Sequence, residues 1–138
     1  MTLGIIVVTH GKSGAELVKS AEMIVGQQNS TETIEFLSTD SVDSLSENFN
    51  KALNNLSGSQ NILALVDIQG GSPFNVATQY SDKLIDILCG VNIPILIELF
   101  LNRDNEEIEN LLTNSINVGK NSIIKYSDLS IIQEDEEF

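Results

Sequence analysis

The chain has no tryptophan, one histidine, one cysteine, two prolines and only seven basic residues in 138 positions. A single cysteine, Cys89, excludes an internal disulfide and gives no sign of an oxidising compartment. In the apolar stretch IDILCG it is expected to be buried and unreactive. Seven Lys and Arg against 20 Asp and Glu leave a formal charge of −13. Such a chain lacks the basic footprint that nucleic acid or an anionic membrane surface requires. The acid suits encounter with a locally positive protein, and it also suits simple solubility. No apolar run is long enough to cross a membrane: LGIIVV is short, and IPILIELF carries Glu98. The N-terminus has no basic segment of a cleavable signal, so a soluble, cytoplasmic protein is expected.

What is present is an ordinary globular composition, with 41% hydrophobic and 20% charged residues, in a length that fits one domain. Short apolar runs rich in β-branched residues alternate with helical patterns. Leu3 to Val8 reads as a buried parallel strand, followed by 33–37, 61–67, 85–89 and a last strand at 122–126. Between them, Ser13 and Glu16 have the spacing of a capping box, so a helix is expected from Gly14, with Leu17, Ala21, Ile24 and Val25 on its apolar face and Gly26 ending it. A second helix follows a cap at Asp40 or Ser41, with Val42, Leu45, Phe49, Ala52, Leu53 and Leu56 at helical spacing. Ser72-Pro73 signals an N-cap and a helix running towards Leu84. Residues 92–101 are apolar nearly all round, which predicts a buried helix. A last helix follows the capping spacing of Asp104 and Glu107 and stops at Gly119. This alternation predicts a three-layer α/β/α domain with a mostly parallel sheet.

In such a sheet, ligands bind beyond the carboxyl ends of the strands. Thr9-His10-Gly11, Asp67 with Gly70-Gly71-Ser72, and Asn92 all fall there. They converge if the strand order is 2-1-3-4, which makes strands one and three neighbours. The Gly-Lys-Ser at 11–13 suggests a nucleotide loop, but the glycine such a loop needs falls at position 6, which is Ile6. Lys12 and Ser13 are read instead as a loop lysine and a helix cap. A receiver-type site with Asp67 as phosphoacceptor is equally disfavoured, because Thr9-His10 stands where an acidic, magnesium-holding pair belongs.

A histidine can take a phosphoryl group through one ring nitrogen if the other keeps its proton, and a carboxylate holding that proton fixes the tautomer. His10 and Asp67 suit these roles. Gly71 and Ser72 at a helix start offer backbone N–H groups and the positive end of a dipole to phosphate oxygens, and Pro73 there sacrifices no useful donor. Taken singly, each residue is also compatible with a bland role: His10 as a surface residue, Asp67 as a turn residue, Gly-Gly-Ser-Pro as an ordinary strand-to-helix connection.

The stretches VVTHGKSGAELVKSAEMIVG, LVDIQGGSPFNVA and CGVNIPILIE together resemble the IIA component of the mannose-family (mannose, fructose, sorbose) bacterial phosphotransferase system. The resemblance extends from residue 1 to about 125, and it implies a domain over 1–126 followed by an acidic tail at 127–138. It implies a phosphoryl group accepted on His10 from the histidine phosphocarrier protein and passed to a IIB component, with membrane IIC and IID subunits served indirectly. Asp67 takes the position of the family's active-site aspartate. Gly11, Gly71 and Ser72 take the phosphate-binding positions, and neither metal nor organic cofactor is implied. The family's homodimer exchanges its last strand, here about 121–126, antiparallel onto the partner's sheet. KSGAE after the His-Gly departs from the bulkier stretch often found there. A phosphotransfer subunit of a dihydroxyacetone kinase and a non-catalytic regulatory module are the alternatives.

Overall fold

The computed structural model describes residues 3–129. Four strands, β1 (Leu3–His10), β2 (Thr31–Phe36), β3 (Asn61–Val66) and β4 (Asp86–Cys89), form one all-parallel sheet in the order β2-β1-β3-β4. The helices α1 (Ser13–Val25), α2 (Val42–Asn55), α3 (Ser72–Gln79), α4 (Ile93–Asn102) and α5 (Ile108–Asn121) cover it. Alternation along β1 sorts the two faces. Leu3, Ile5 and Val7 enter one apolar layer with Val18 and Ala21 of α1, Leu96 and Leu99 of α4 and Leu111 of α5. Ile6 and Val8 enter the other, with Phe49 and Leu53 of α2 and Val76 and Ala77 of α3. Both faces are therefore dry, which is why β1 and β3 are apolar at nearly every position.

Helix ends follow local chemistry where that chemistry is self-contained. Ser41 and Ser44 exchange side-chain-to-backbone bonds of 3.1 and 3.2 Å, a reciprocal cap that starts α2. Asn92 caps α4 by accepting from the Ile95 N–H at 3.0 Å. Gly26 ends α1 at a φ of +92°.

Elsewhere tertiary contacts displace the expected boundaries. The Ser13–Glu16 capping box does not form: α1 starts at Ser13 itself, and the residue before it, Lys12, makes no side-chain cap. The inward face of α1 carries Val18 in place of Ile24, which is 36% exposed. The residue capping α3 is Gly71, so Ser72 becomes its first helical position, and the helix ends at Gln79 before a 3-10 turn at Ser81–Lys83. Gly119 does not end α5. A Cβ there would lie 2.4 Å from Ile95 Cγ1, so the glycine lets α5 approach α4. No strand forms at 122–126 in the described chain: 123–125 are exposed and unpaired, and a 3-10 turn follows at Tyr126–Asp128. Cys89 is exposed rather than buried, because β4 is an edge strand. What burial it has, with the charge of Asp86, still raises its thiol pKa. Of the tail expected at 127–138, residues 130–138 lie outside the described residues. Among the described residues, no helix is long and apolar enough to cross a membrane.

At the end of the sheet opposite the C-terminal strand ends, Arg103 is 3% exposed. Its guanidinium donates to the carbonyls of Leu3, Ser30 and Asn29, to Gln28 Oε1 and to Thr31 Oγ1. Burial lowers its pKa from the ordinary value, and the charge of Asp104 partly offsets this. A buried cation is tolerable only with such saturation, and the bonds tie the end of α4 to the starts of β1 and β2.

Candidate functional site

With β1 between β2 and β3, the last residue of β1 lies beside both neighbours. His10 pairs in register with Phe36, and Val8 with Val66, so Asp67 emerges next to His10. One carboxylate oxygen does two jobs: Asp67 Oδ2 accepts the backbone N–H of His10 at 2.9 Å and meets its ring Nδ1 at 2.8 Å. The other, Oδ1, accepts the N–H of Ile68 at 2.9 Å. Burial by itself would raise the Asp67 pKa. The bonds from the His10 backbone and ring, the His10 charge and the Ile68 N–H outweigh it, and the pKa is lowered from 3.8. Asp67 is therefore an acceptor, so a ring that carries one proton holds it on Nδ1 and leaves the Nε2 lone pair free.

The opposite side of the ring faces the start of α3. A Cβ placed on Gly71 would sit 2.6 Å from His10 Cε1 and 3.3 Å from Nε2. Only glycine allows the backbone so close to this ring. Ser72 follows as the first helical residue and Pro73 is buried behind it. At such a helix start the N–H groups of Ser72 and Phe74 have no intrahelical acceptor, and the dipole presents its positive end. Gly70, at a φ of +86°, turns the chain into this approach.

Gly11, the third position expected to bind phosphate, follows His10 directly. Its N–H is engaged with the Phe36 carbonyl at 2.7 Å, and its φ of +61° turns the chain out of β1 towards α1. Asn92, the third candidate beyond a strand end, is the cap of α4 and is bonded to Ile95 and Gly119. The His10 side chain is 48% exposed, and an open groove of about 590 Å³ beside it is lined by Gly11, Phe36, Leu37, Ser38 and Thr39. A shallow, half-open histidine suits chemistry with a group carried by another macromolecule better than enclosure of a small substrate.

Of two residues near His10, Phe36 escaped the sequence reading, and Thr9 was named there only as part of the strand-end segment. The Phe36 ring stands edge-on to the imidazole, with centroids 6.0 Å apart and planes at 69°. Its signal was its place at the end of the second strand, legible only once that strand lies beside the first. Thr9 is 1% exposed, and its Oγ1 accepts the N–H of Gly14 at 2.8 Å. Among the described residues no cluster of three or more His, Cys, Asp or Glu side chains could hold a metal ion.

Residues 4–116 match the family described as "PTS system fructose IIA component". Among curated proteins, the chain is 33% identical over 126 residues to the mannose-specific EIIAB component of the phosphotransferase system of Escherichia coli (strain K12), covering 89% of this chain and 39% of that protein. The chain thus spans about two fifths of that relative's length. It is 32% identical over 114 residues to the fructose-specific EIIA component of Bacillus subtilis (strain 168), covering 81% of this chain and 78% of that one. Among solved structures, the phosphotransferase system component EIIA from Streptococcus agalactiae superimposes with a TM-score of 0.81 at 29% identity, over 93% of this chain and all of that one.

Proposed function

Because the chain belongs to the EIIA-man family, we propose that it is a phosphoryl-transfer component of a sugar phosphotransferase system. In this proposal it takes a phosphoryl group from the histidine phosphocarrier protein onto His10 and hands it to a IIB component, in the cytoplasm. Residues 1–126 are the unit that does this. The observation that carries the proposal is the 2.8 Å contact of His10 Nδ1 with Asp67 Oδ2, which leaves Nε2 as the free nitrogen beside the start of α3.

The chemistry follows from that geometry. The Nε2 lone pair attacks the phosphorus of the donor phosphohistidine in line. A P–Nε2 bond forms while the donor's P–N bond breaks, and that bond's electron pair returns to the donor imidazole. No proton leaves His10, because Nδ1 keeps its proton on Asp67. The positive charge gained by the ring is balanced by a carboxylate already ionised. The phosphoryl oxygens meet the N–H groups at Gly71 and Ser72 and the Ser72 hydroxyl, while Gly11 keeps the approach open. Passing the group to a IIB histidine is the same step reversed. No metal or organic cofactor enters the proposal.

A homodimer belongs to the same reading, with residues 121–126 of each copy laid antiparallel along β4 of the other. The support is an edge strand β4 with no outer neighbour among the described residues, and a groove of about 500 Å³ beside it lined by Leu88, Cys89, Ile95, Ile116 and Ile123. Ile123 and Tyr126 are 84% and 79% exposed immediately after α5.

The test is incubation with phosphoenolpyruvate, its phosphotransferase kinase and the phosphocarrier. The expected product is one acid-labile, base-stable phosphate per chain, absent in His10→Ala. Undiminished labelling of His10→Ala would refute the assignment.

A further inference from the structure

The strand face that carries Leu3, Ile5 and Val7 into the layer beneath α1 continues to Thr9, where a hydroxyl replaces the apolar series. Valine has nearly the same shape and would satisfy packing alone. The hydroxyl is instead engaged. Thr9 Oγ1 accepts the N–H of Gly14 at 2.8 Å, standing in for the cap that Lys12 does not provide, and lies 3.1 Å from Ser13 Oγ. A Cβ on Gly14 would be 2.9 Å from both Thr9 Oγ1 and Cγ2, so the helix is drawn hard onto this residue. Ser13 Oγ in turn reaches the His10 carbonyl at 3.3 Å. The polar groups of the His10 main chain are thus held from two sides, its N–H by Asp67 and its C=O by Ser13.

We propose that Thr9 and Ser13 are a positioning pair for His10, fixing the start of α1 against the strand end so that the imidazole keeps its line to Asp67 and to Gly71. Neither residue touches the transferred group. They act on the reaction through the orientation of the His10 main chain, and this inference rests on the phosphotransfer reading for its rate consequence only. A hydroxyl dedicated to a mere helix cap would change stability. A hydroxyl that orients His10 also changes the ring's own bond to Asp67.

The experiment compares Thr9→Val, Thr9→Ser and the exposed-site variant Ser13→Ala in two readouts. In the unphosphorylated protein, NMR follows the ring Nδ1–H proton and the tautomer of the single histidine. In single-turnover transfer from the phosphocarrier, the rate is resolved into its saturating value and its half-saturating carrier concentration. Thr9→Val and Ser13→Ala are expected to weaken the ring Nδ1–H resonance and to lower the saturating rate about tenfold with half-saturation unchanged. Thr9→Ser is expected to restore both. An unaltered ring resonance in Thr9→Val and Ser13→Ala overturns the proposal, as does a wild-type saturating rate in both. If the wild-type chain accepts no phosphate, the phosphotransfer reading fails, and the ring resonance still decides for or against the pair.

Discussion

At the scale of single residues, the site is organised around how little freedom His10 has. Asp67 meets its ring Nδ1 and accepts its main-chain N–H with one oxygen, and Gly71 closes the other side of the ring. The clearance at Gly71 makes a sharp prediction. In Gly71→Ala the added methyl must push the imidazole away, since 2.6 Å is well inside van der Waals contact. Transfer to His10 is expected to fall by about a hundredfold, with secondary structure unchanged by circular dichroism; a wild-type rate would show that the close approach is not needed. Asp67 makes a prediction about pH. Its folded pKa lies below the ordinary 3.8, so its ionised form stabilises the fold above that value. That contribution is lost as pH falls through the folded pKa. The difference in urea midpoint between wild type and Asp67→Asn is therefore expected to be full near neutrality and to shrink below about pH 4. A difference independent of pH down to acid would contradict the linkage.

At the scale of elements, the strands and helices were largely legible because burial dictates composition. β1 and β3 are apolar at nearly every position since both of their faces are covered, and α2 shows Leu45, Phe49, Ala52 and Leu53 at helical spacing because one face is covered. The misreadings arise where the surroundings of a residue in the fold override the signal of its residue type. Ser13 has the residue type of a cap, but its hydroxyl turns back to Thr9 and His10. Gly119 looks like a stop, but it serves a contact with Ile95 in another helix. Cys89 sits in an apolar run, and nothing in that run says its strand lies at the sheet edge. The convergence of His10 and Asp67 was readable as residue types, yet it depended on a strand order that no local pattern determines. Arg103 is a further element-scale feature hidden from the sequence, since its acceptors come from residues 72 to 100 positions away. Arg103→Met removes the donors to Leu3, Gln28, Asn29, Ser30 and Thr31 together and is expected to cost about 3 kcal/mol of stability in urea titration. Because Arg103 lies at the far end of the sheet, the folded variant should transfer phosphate at the wild-type rate, and a selective loss of transfer would contradict its purely structural role.

At the scale of the whole molecule, a chain of charge −13 holds His10 half-exposed at one end of a dry sheet and leaves an apolar edge at β4. In the proposed function, that division separates the place where a phosphoryl group would arrive from the place where a second copy would bind. Replacing both Ile123 and Ile124 with Glu should convert the proposed dimer to a monomer in sedimentation without changing the fold of residues 3–121. An unchanged dimer in that variant would show that the segment after α5 does not hold the two copies together.

The central claim is that His10 carries the phosphoryl group on Nε2 while Nδ1 stays bonded to Asp67. Phosphorus and nitrogen NMR of the ¹⁵N-labelled protein, after phosphorylation by the carrier, reads this directly. The account predicts phosphorus coupled to Nε2 of the single histidine, with the Nδ1 proton retained. Phosphate on Nδ1, on a carboxylate, or on no residue at all would contradict it.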